Sequence, residues 1–359
     1  MGVIFLTCLF LMSVMMVVSA QTPKGESTNI QEQRDEHRSD LAAFRAKYAV
    51  EIAALPKITL KETSKQLYDD ANKLAREGLE AFNSNSLEEA EVKLLASLSL
   101  WENDLVRKDY ALVLVEEQKY LEALPSCVEA ALCVHNEPSP NNEPRMPAEE
   151  TPLPLPTLAY TLAQVGDLKM AANVYNFTRN KLAKDIKRNI SMFSPKIKTD
   201  SMTVGGKLRL PLPPLTLDPE KTDRKALIEN SRILFLIISE LYFDKDVQSN
   251  NSSLHRMLPN RLAFKMIDEA YAANPESAIL IFYKGYSEIS REMPSQKTQE
   301  LMLESIKKAQ EWFLSATTKA GANSPLGKLS AEYIADTEKV AYLFGEADSG
   351  AKGSPVTPA

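Results

Sequence analysis

Residues 71–104 read ANKLAREGLEAFNSNSLEEAEVKLLASLSLWEND, a stretch of 34 residues with two amphipathic segments around one polar turn. Leu74 and Gly78 mark a first helix, Asn83-Ser84-Asn85 a turn, and Leu87, Ala90, Leu94 and Leu98 the apolar face of a second helix. Two helices approach closely only where the Cβ is small or missing, so Gly78 and Ala90 read as the contact points of a helix pair.

The plan recurs twice downstream. Residues 104–135 carry Ala111, Leu114, Tyr120, Ala123, Cys127 and Ala130. A third copy begins near Pro152, with Leu158, Ala159, Leu162, Gly166, Asp167, Leu168, Ala171 and Tyr175. Ala90 and Ala123 are 33 residues apart, and Ala123 and Ala171 are 48 apart, one repeat plus an insertion. This set resembles the tetratricopeptide repeat family. Gly78, Ala111 and Ala159 match its small first-helix position, and Ala90, Ala123 and Ala171 match the small position opening the second helix. Leu94, Cys127 and Tyr175 match its large apolar position, and Gly166-Asp167 its inter-helix turn. Ala81 departs from the family's Tyr and Asn85 from its Gly. The resemblance implies an all-α fold, a right-handed α-solenoid of helix-turn-helix repeats, here interrupted by two Pro-rich insertions.

Farther on, residues 261–275 (RLAFKMIDEAYAANP) read as another second helix, with Ala263, Ile267, Ala270 and Pro275 at its spacing. Its first helix falls on 224–243, with 244–259 as an enlarged turn. Residues 278–289, with Gly285 at the small position, pair with 296–318, and 326–344 closes the stack. Upstream, residues 30–55 read as one helix through Leu41, Phe44, Tyr48 and Ile52, stopped by Pro56. The organisation expected is a leader at 1–20, an N-terminal helical segment at 21–60 and repeats at 61–192. An extended insertion at 193–223, degenerate helical repeats at 224–345 and a disordered tail at 346–359 follow. Residues 136–156 hold seven prolines and read as an extended loop that interrupts the stack between the second and third copies. Residues 194–223 combine Gly205-Gly206, a short-hairpin signal, with Leu210-Pro-Leu-Pro-Pro-Leu, which reads as polyproline-type chain over the surface.

Residues 1–20 carry no charge and 16 apolar residues, and end in Val18-Ser19-Ala20. The run is short for a membrane span, which needs about 20 residues, and small residues stand where a signal peptidase reads. The expectation is a secreted or periplasmic chain cleaved after Ala20; the alternative is an N-terminal membrane anchor, because the leader has no Lys or Arg. Cleavage leaves Cys127 and Cys133. Six residues of helix separate them by about 9 Å of rise, beyond the reach of a disulfide, so they read as two small core residues, or alternatively as an intermolecular or helix-end disulfide.

The formal net charge of -6 argues against a general nucleic-acid binder. No phosphate-cradling glycine loop, metal-binding His-Glu-x-x-His or Gly-x-Ser-x-Gly elbow is present, so no catalytic residue, metal ligand or cofactor is assigned. His37, His135 and His255 read as surface residues, and Glu88-Glu89 and Glu149-Glu150 as solvated faces. Asn176-Phe-Thr, Asn189-Ile-Ser, Asn250-Asn-Ser and Asn251-Ser-Ser match the glycosylation sequon. The basic run Arg179, Lys181, Lys184, Lys187, Arg188, Lys196 and Lys198 reads as a solvated helix end, or alternatively as a contact for an anionic surface.

The remaining candidate site is a groove lined by the first helices. By similarity to the family, groove positions fall on Asn72, Leu79, Lys108, Leu112, Tyr160 and Gln164, with Tyr160 as an aromatic anchor and Lys108 as a charge contact. Leu79 and Leu112 have the alternative of packing against the next helix. The expected function is a non-catalytic extracytoplasmic scaffold that binds a peptide or partner protein in this groove. The alternative is an α-superhelical glycan-active enzyme or oligosaccharide binder of the cell envelope, for which Trp101 and Trp312 are the aromatics to place.

Overall fold

The computed structural model describes residue 36 and residues 39–58, 67–132, 154–187, 203–204, 207–208, 210–214, 216–242, 252–290 and 299–351. The leader, most of the 136–156 insertion, His37, Cys133, His135, Asn189, Asn250, Asn251 and residues 352–359 lie outside them. The chain divides into two units, one ending at Lys47 and one beginning at Tyr48. In the first, residues 39–47 are helical and Leu41 and Phe44 are buried. In the second, a short helix α1 (Ala49–Ala54) follows a turn at Tyr48 and ends before Pro56. The pattern read as one helix from 30 to 55 is therefore interrupted at Tyr48.

Among the described residues the second unit is helical apart from its turns, residues 55–58, one small ribbon and the segment after it. Its first three helix pairs are α2 (Tyr68–Asn83) with α3 (Leu87–Leu100), α4 (Asp104–Glu116) with α5 (Tyr120–Leu132), and α6 (Pro154–Val165) with α7 (Leu168–Lys187). Helices α8 (Arg224–Tyr242), α9 (Ser252–Ala273), α10 (Ala278–Ser290), α11 (Gln299–Ala320) and α12 (Pro325–Ala351) follow. Consecutive helices pack on one another throughout, an arrangement compatible with an α-solenoid.

The first three turns share one construction. Each contains a residue with left-handed backbone: Asn85 (φ 64), Gln118 (φ 62) and Gly166 (φ 95). In each, the next amide donates five residues back: Ser86 to Ala81 (2.9 Å), Lys119 to Leu114 (2.9 Å) and Asp167 to Leu162 (3.0 Å). That bond satisfies a carbonyl the ending helix leaves open and reverses the chain in two or three residues. The alanines Ala90, Ala123 and Ala171 then stand at the same place in each second helix, and all three are fully buried. A Cβ on Gly78 would lie 2.9 Å from Leu94 Cγ, and one on Gly285 3.0 Å from Phe313 and Trp312, so both glycines set the approach of a helix pair. Local caps assist: Asn103 Oδ1 accepts from the Leu105 amide at 2.9 Å to start α4, and Asp167 Oδ1 from Met170 at 3.1 Å to start α7.

The later half departs from a simple continuation. Helix α8 packs on α6 and α9, while α9 lies against both α2 and α4 as well as α10. Residues 233–238 of α8 are buried all round, which explains an apolar run with no polar stripe. Among the described residues no helix is long and apolar enough to cross a membrane. Helix α9 starts at Ser252, inside the stretch expected as an enlarged turn, and Pro259 lies within it. An interior proline removes one helix hydrogen bond, and the buried face of Leu262, Ala263, Met266, Ile267 and Ala270 outweighs that loss. Helix α12 likewise runs to Ala351, past the boundary at 345 expected for a tail. Thr203–Val204 (β1) and Lys207–Leu208 (β2) pair antiparallel in the register Thr203 with Leu208, which agrees with a short hairpin centred on 205–206.

Candidate functional site

The face presented by the first helices α2, α4 and α6 is covered by the chain itself. Helix α9 packs on α2 and α4, and α8 packs on α6. A narrow cleft remains where Glu116, Gln118, Tyr120 and Tyr160 face Leu262, Lys265, Met266 and Glu269 of α9. Lys265 Nζ reaches Glu116 Oε1 at 3.1 Å, and Glu116 has only 1% of its side chain exposed. Arg232 of α8 reaches Glu269 at 2.8 Å.

Tyr160 is the hub of this junction. Gln164 Nε2 donates to its oxygen at 2.9 Å and Arg232 Nη2 at 3.2 Å, while the Tyr120 hydroxyl lies 3.2 Å away. Either hydroxyl of the Tyr120–Tyr160 pair can be the donor. Burial first, then the Tyr160 hydrogen bond, pushes the Tyr120 hydroxyl well above its ordinary pKa. The rings of Tyr120 and Tyr160 meet edge to face at 5.8 Å. Arg224 closes the junction by donating from Nε to the Ala163 carbonyl at 3.0 Å and from Nη2 to that of Gln164 at 2.6 Å.

Of the six groove positions, Leu79, Leu112, Lys108 and Tyr160 are buried, and Asn72 and Gln164 are half-buried. Tyr160, expected as an exposed anchor, is 2% exposed. Lys108, expected as a charge contact, is 8% exposed and pairs with the fully buried Asp109 at 3.2 Å. The structure brings Tyr160 and Gln164 into one network and holds Lys108 in a separate ion pair. Sequence reasoning did not single out Arg232, Glu269 or Lys265. Arg232 alone left a signal, a cation beside an unbroken apolar run (ILFLII).

A second arrangement lies on α7 and α10. Residues 210–214 and 216–217, neither helix nor strand, are held by side chains of both helices. Tyr283 Oη donates to the Pro211 carbonyl at 2.7 Å, Arg179 Nε to Pro213 at 2.9 Å and Tyr175 Oη to Pro214 at 2.6 Å. Asn176 makes two bonds with Leu217, accepting from its amide and donating to its carbonyl, each at 2.8 Å. Arg179 is therefore not part of a solvated basic face. It is 7% exposed, and burial pulls its guanidinium pKa below the ordinary value. Lys181 is half-buried, and the side chains of Lys184, Lys187 and Arg188 lie outside the described residues. The Asn176 sequon has its amide engaged and its Thr178 buried.

Other candidates are dispersed. Trp101 is buried and meets Tyr68 edge-on at 5.5 Å, whereas Trp312 stands against Tyr271 at 5.2 Å with Lys284 over its ring, so the two indoles do not share a cleft. Burial raises the Glu117 carboxyl above its usual value, but Glu117 pairs with Lys119 at 3.1 Å and does not line the cleft. Cys127 is a free buried thiol 3.5 Å from Thr161 Oγ1, with its pKa pushed up to about 12 by burial. Among the described residues no cluster of His, Cys, Asp and Glu is placed to hold a metal ion.

The chain matches no protein-family model, no curated protein and no solved structure.

Proposed function

We propose that the chain is an extracytoplasmic interaction scaffold, a right-handed solenoid of tetratricopeptide-like helix pairs that binds a peptide or partner protein. The observation that carries this reading is the common turn at Asn85, Gln118 and Gly166, each with a left-handed residue and the same five-residue backbone bond. Three turns of one construction with a buried alanine at the same following position support one repeated unit rather than three unrelated hairpins. Such units serve by presenting preformed surfaces, which lowers the ordering cost of binding. The extracytoplasmic placement rests on the leader sequence at 1–20.

In this reading α9 acts as an internal occupant of the first-helix face, and a partner reaches Leu79, Leu112 and Tyr160 only when α9 swings away. Asn72 and Gln164, half-buried, form its accessible edge. A binding-competent state populated in small fraction weakens apparent affinity by that fraction. Residues 21–359 and their Lys265→Glu variant are therefore compared as baits in envelope extract. The substitution sets a second carboxylate against Glu116 and loosens α9. A protein held by the wild type and enriched severalfold by the variant supports the groove. Equal capture puts the partner elsewhere, and no specific capture by either bait overturns the scaffold reading.

A further inference from the structure

We propose that the cleft between α7 and α10 is a binding site for an extended, proline-rich peptide bearing a carboxylate, which residues 210–214 and 216–217 occupy in cis. This site is separate from the face covered by α9 and does not depend on what that face binds.

The chemistry of the cleft matches its occupant group by group. A proline has a carbonyl and no amide hydrogen, so a proline-rich segment offers acceptors and few donors. Where the segment is Pro211, Pro213 and Pro214, the cleft supplies donors: the Tyr283 hydroxyl, Arg179 Nε and the Tyr175 hydroxyl. At Leu217, which has both an amide and a carbonyl to satisfy, the cleft supplies Asn176, whose side chain both accepts and donates. All five bonds meet the backbone of the segment. They read the spacing of carbonyls along an extended chain, not the side chains of this particular stretch, and a proline-rich peptide offers such a chain preformed.

One group of the cleft is left over. Arg179 Nη1 is buried and has no acceptor among the described residues. Leu210, Leu212 and Thr216, the non-proline neighbours, carry no acid. A buried guanidinium that spends Nε on a carbonyl and leaves Nη1 unused is suited to a carboxylate, the acceptor with which arginine forms its strongest bonds. The cis segment thus satisfies the backbone code and omits the charge. A peptide with an acidic residue beside the Pro213 position completes both.

The experiment uses the full chain with Pro211→Gly, Pro213→Gly and Pro214→Gly, which frees the cis segment by raising its unbound flexibility. The probe is a fluorescein-labelled peptide of residues 209–218 (RLPLPPLTLD), read by anisotropy. A cis segment acts at an effective concentration on the order of millimolar, so the peptide is expected to bind the glycine variant at least about tenfold better than the wild type. A peptide with Leu212→Glu gains about a further tenfold through Arg179. Asn176→Ala with Tyr283→Phe in the same background abolishes both. Equal binding to glycine variant and wild type, or binding that survives the loss of Asn176 and Tyr283 groups, overturns the proposal. A fold-independent arm covers collapse of the glycine variant. In the wild type, saturating Leu212→Glu peptide displaces the cis segment and speeds hydrogen exchange of the Leu217 amide at least about tenfold. Unchanged exchange at that amide overturns the proposal as well.

Discussion

Arg232 stands over the ring of Tyr160, its guanidinium carbon 5.3 Å from the ring centroid, and donates from Nη2 to the phenol oxygen at 3.2 Å. The pair joins α8 to the third helix pair, and Glu269 of α9 joins it through the same Nη2. A residue at a groove position is thereby made structural: its hydroxyl accepts from Gln164 and Arg232 and meets the Tyr120 hydroxyl.

Tyr160→Phe keeps the ring and removes the hydroxyl. It leaves the Gln164 amide without its acceptor and Arg232 with only Glu269, at a cost of about 1–3 kcal/mol. Tyr160→Ala removes the ring as well, and is expected to cost about 3–5 kcal/mol by cavity formation. Urea unfolding of the two variants measures both. A solvent-facing anchor would shift stability by less than about 0.5 kcal/mol in either case, which is the result that contradicts this placement.

Lys108 pairs with an aspartate that has none of its side chain exposed. Lys108→Glu places a second negative charge beside Asp109, and removing one partner of a buried pair typically costs about 3–5 kcal/mol. Lys108→Arg keeps the charge and is expected to cost far less. Thermal unfolding at pH 7 compares them. If the two variants unfold together near the wild type, the pair is not buried as described.

Cys127 gives a pH signature. Its thiol is raised from 9.0 to about 12 in the folded chain, so above pH 9 the unfolded chain ionises there while the folded chain does not. The unfolded state then binds fewer protons than the native state, and stability falls as pH rises through that window. Between pH 8 and 9.5, below the titration of the buried tyrosines, wild type is expected to lose stability more steeply than Cys127→Ala. The limiting slope is about 1.4 kcal/mol per pH unit. Parallel urea midpoints for the two would show that Cys127 is accessible in the native state, and a thiol reagent would then label it without unfolding.

The helix pairs were legible because their signals are local. Ala90, Ala123 and Ala171 repeat at fixed offsets from a polar turn, and the structure puts all three at full burial. Gly78 and Gly285 announced close approach, and each meets an aromatic or leucine side chain at the contact. The occupant of the groove was not legible. Lys265 meets Glu116 from 149 positions away, and nothing in periodicity says which distant helix covers a face. The start of α9 was hidden by the turn-forming run before it and by Pro259. Arg179 groups with its basic neighbours in the sequence because spacing along a helix does not show which side receives a later segment. Asn176 shows only a sequon in the sequence, since its partner Leu217 lies 41 residues on.

The closest approach in the first helix pair offers a test that can change sign. A Cβ at Gly78 would stand 2.9 Å from Leu94 Cγ and 3.2 Å from the Leu94 backbone nitrogen. Gly78→Ala gains about 1 kcal/mol of helix propensity but loses about 1–3 kcal/mol to overlap, because the atoms it meets first, Leu94 Cγ and Cδ2, belong to a fully buried side chain. The net expectation is destabilisation. Leu94→Ala alone costs about 2–5 kcal/mol through the cavity it opens. In that background the overlap with Cγ is gone, and Gly78→Ala is expected to be neutral or stabilising by up to about 1 kcal/mol. The double-mutant cycle then shows a coupling of about 1–3 kcal/mol, which additive, distant sites do not produce. Additivity within about 0.5 kcal/mol would mean that α2 and α3 do not meet at Gly78, and the small-residue contact would lose its role in setting the repeat.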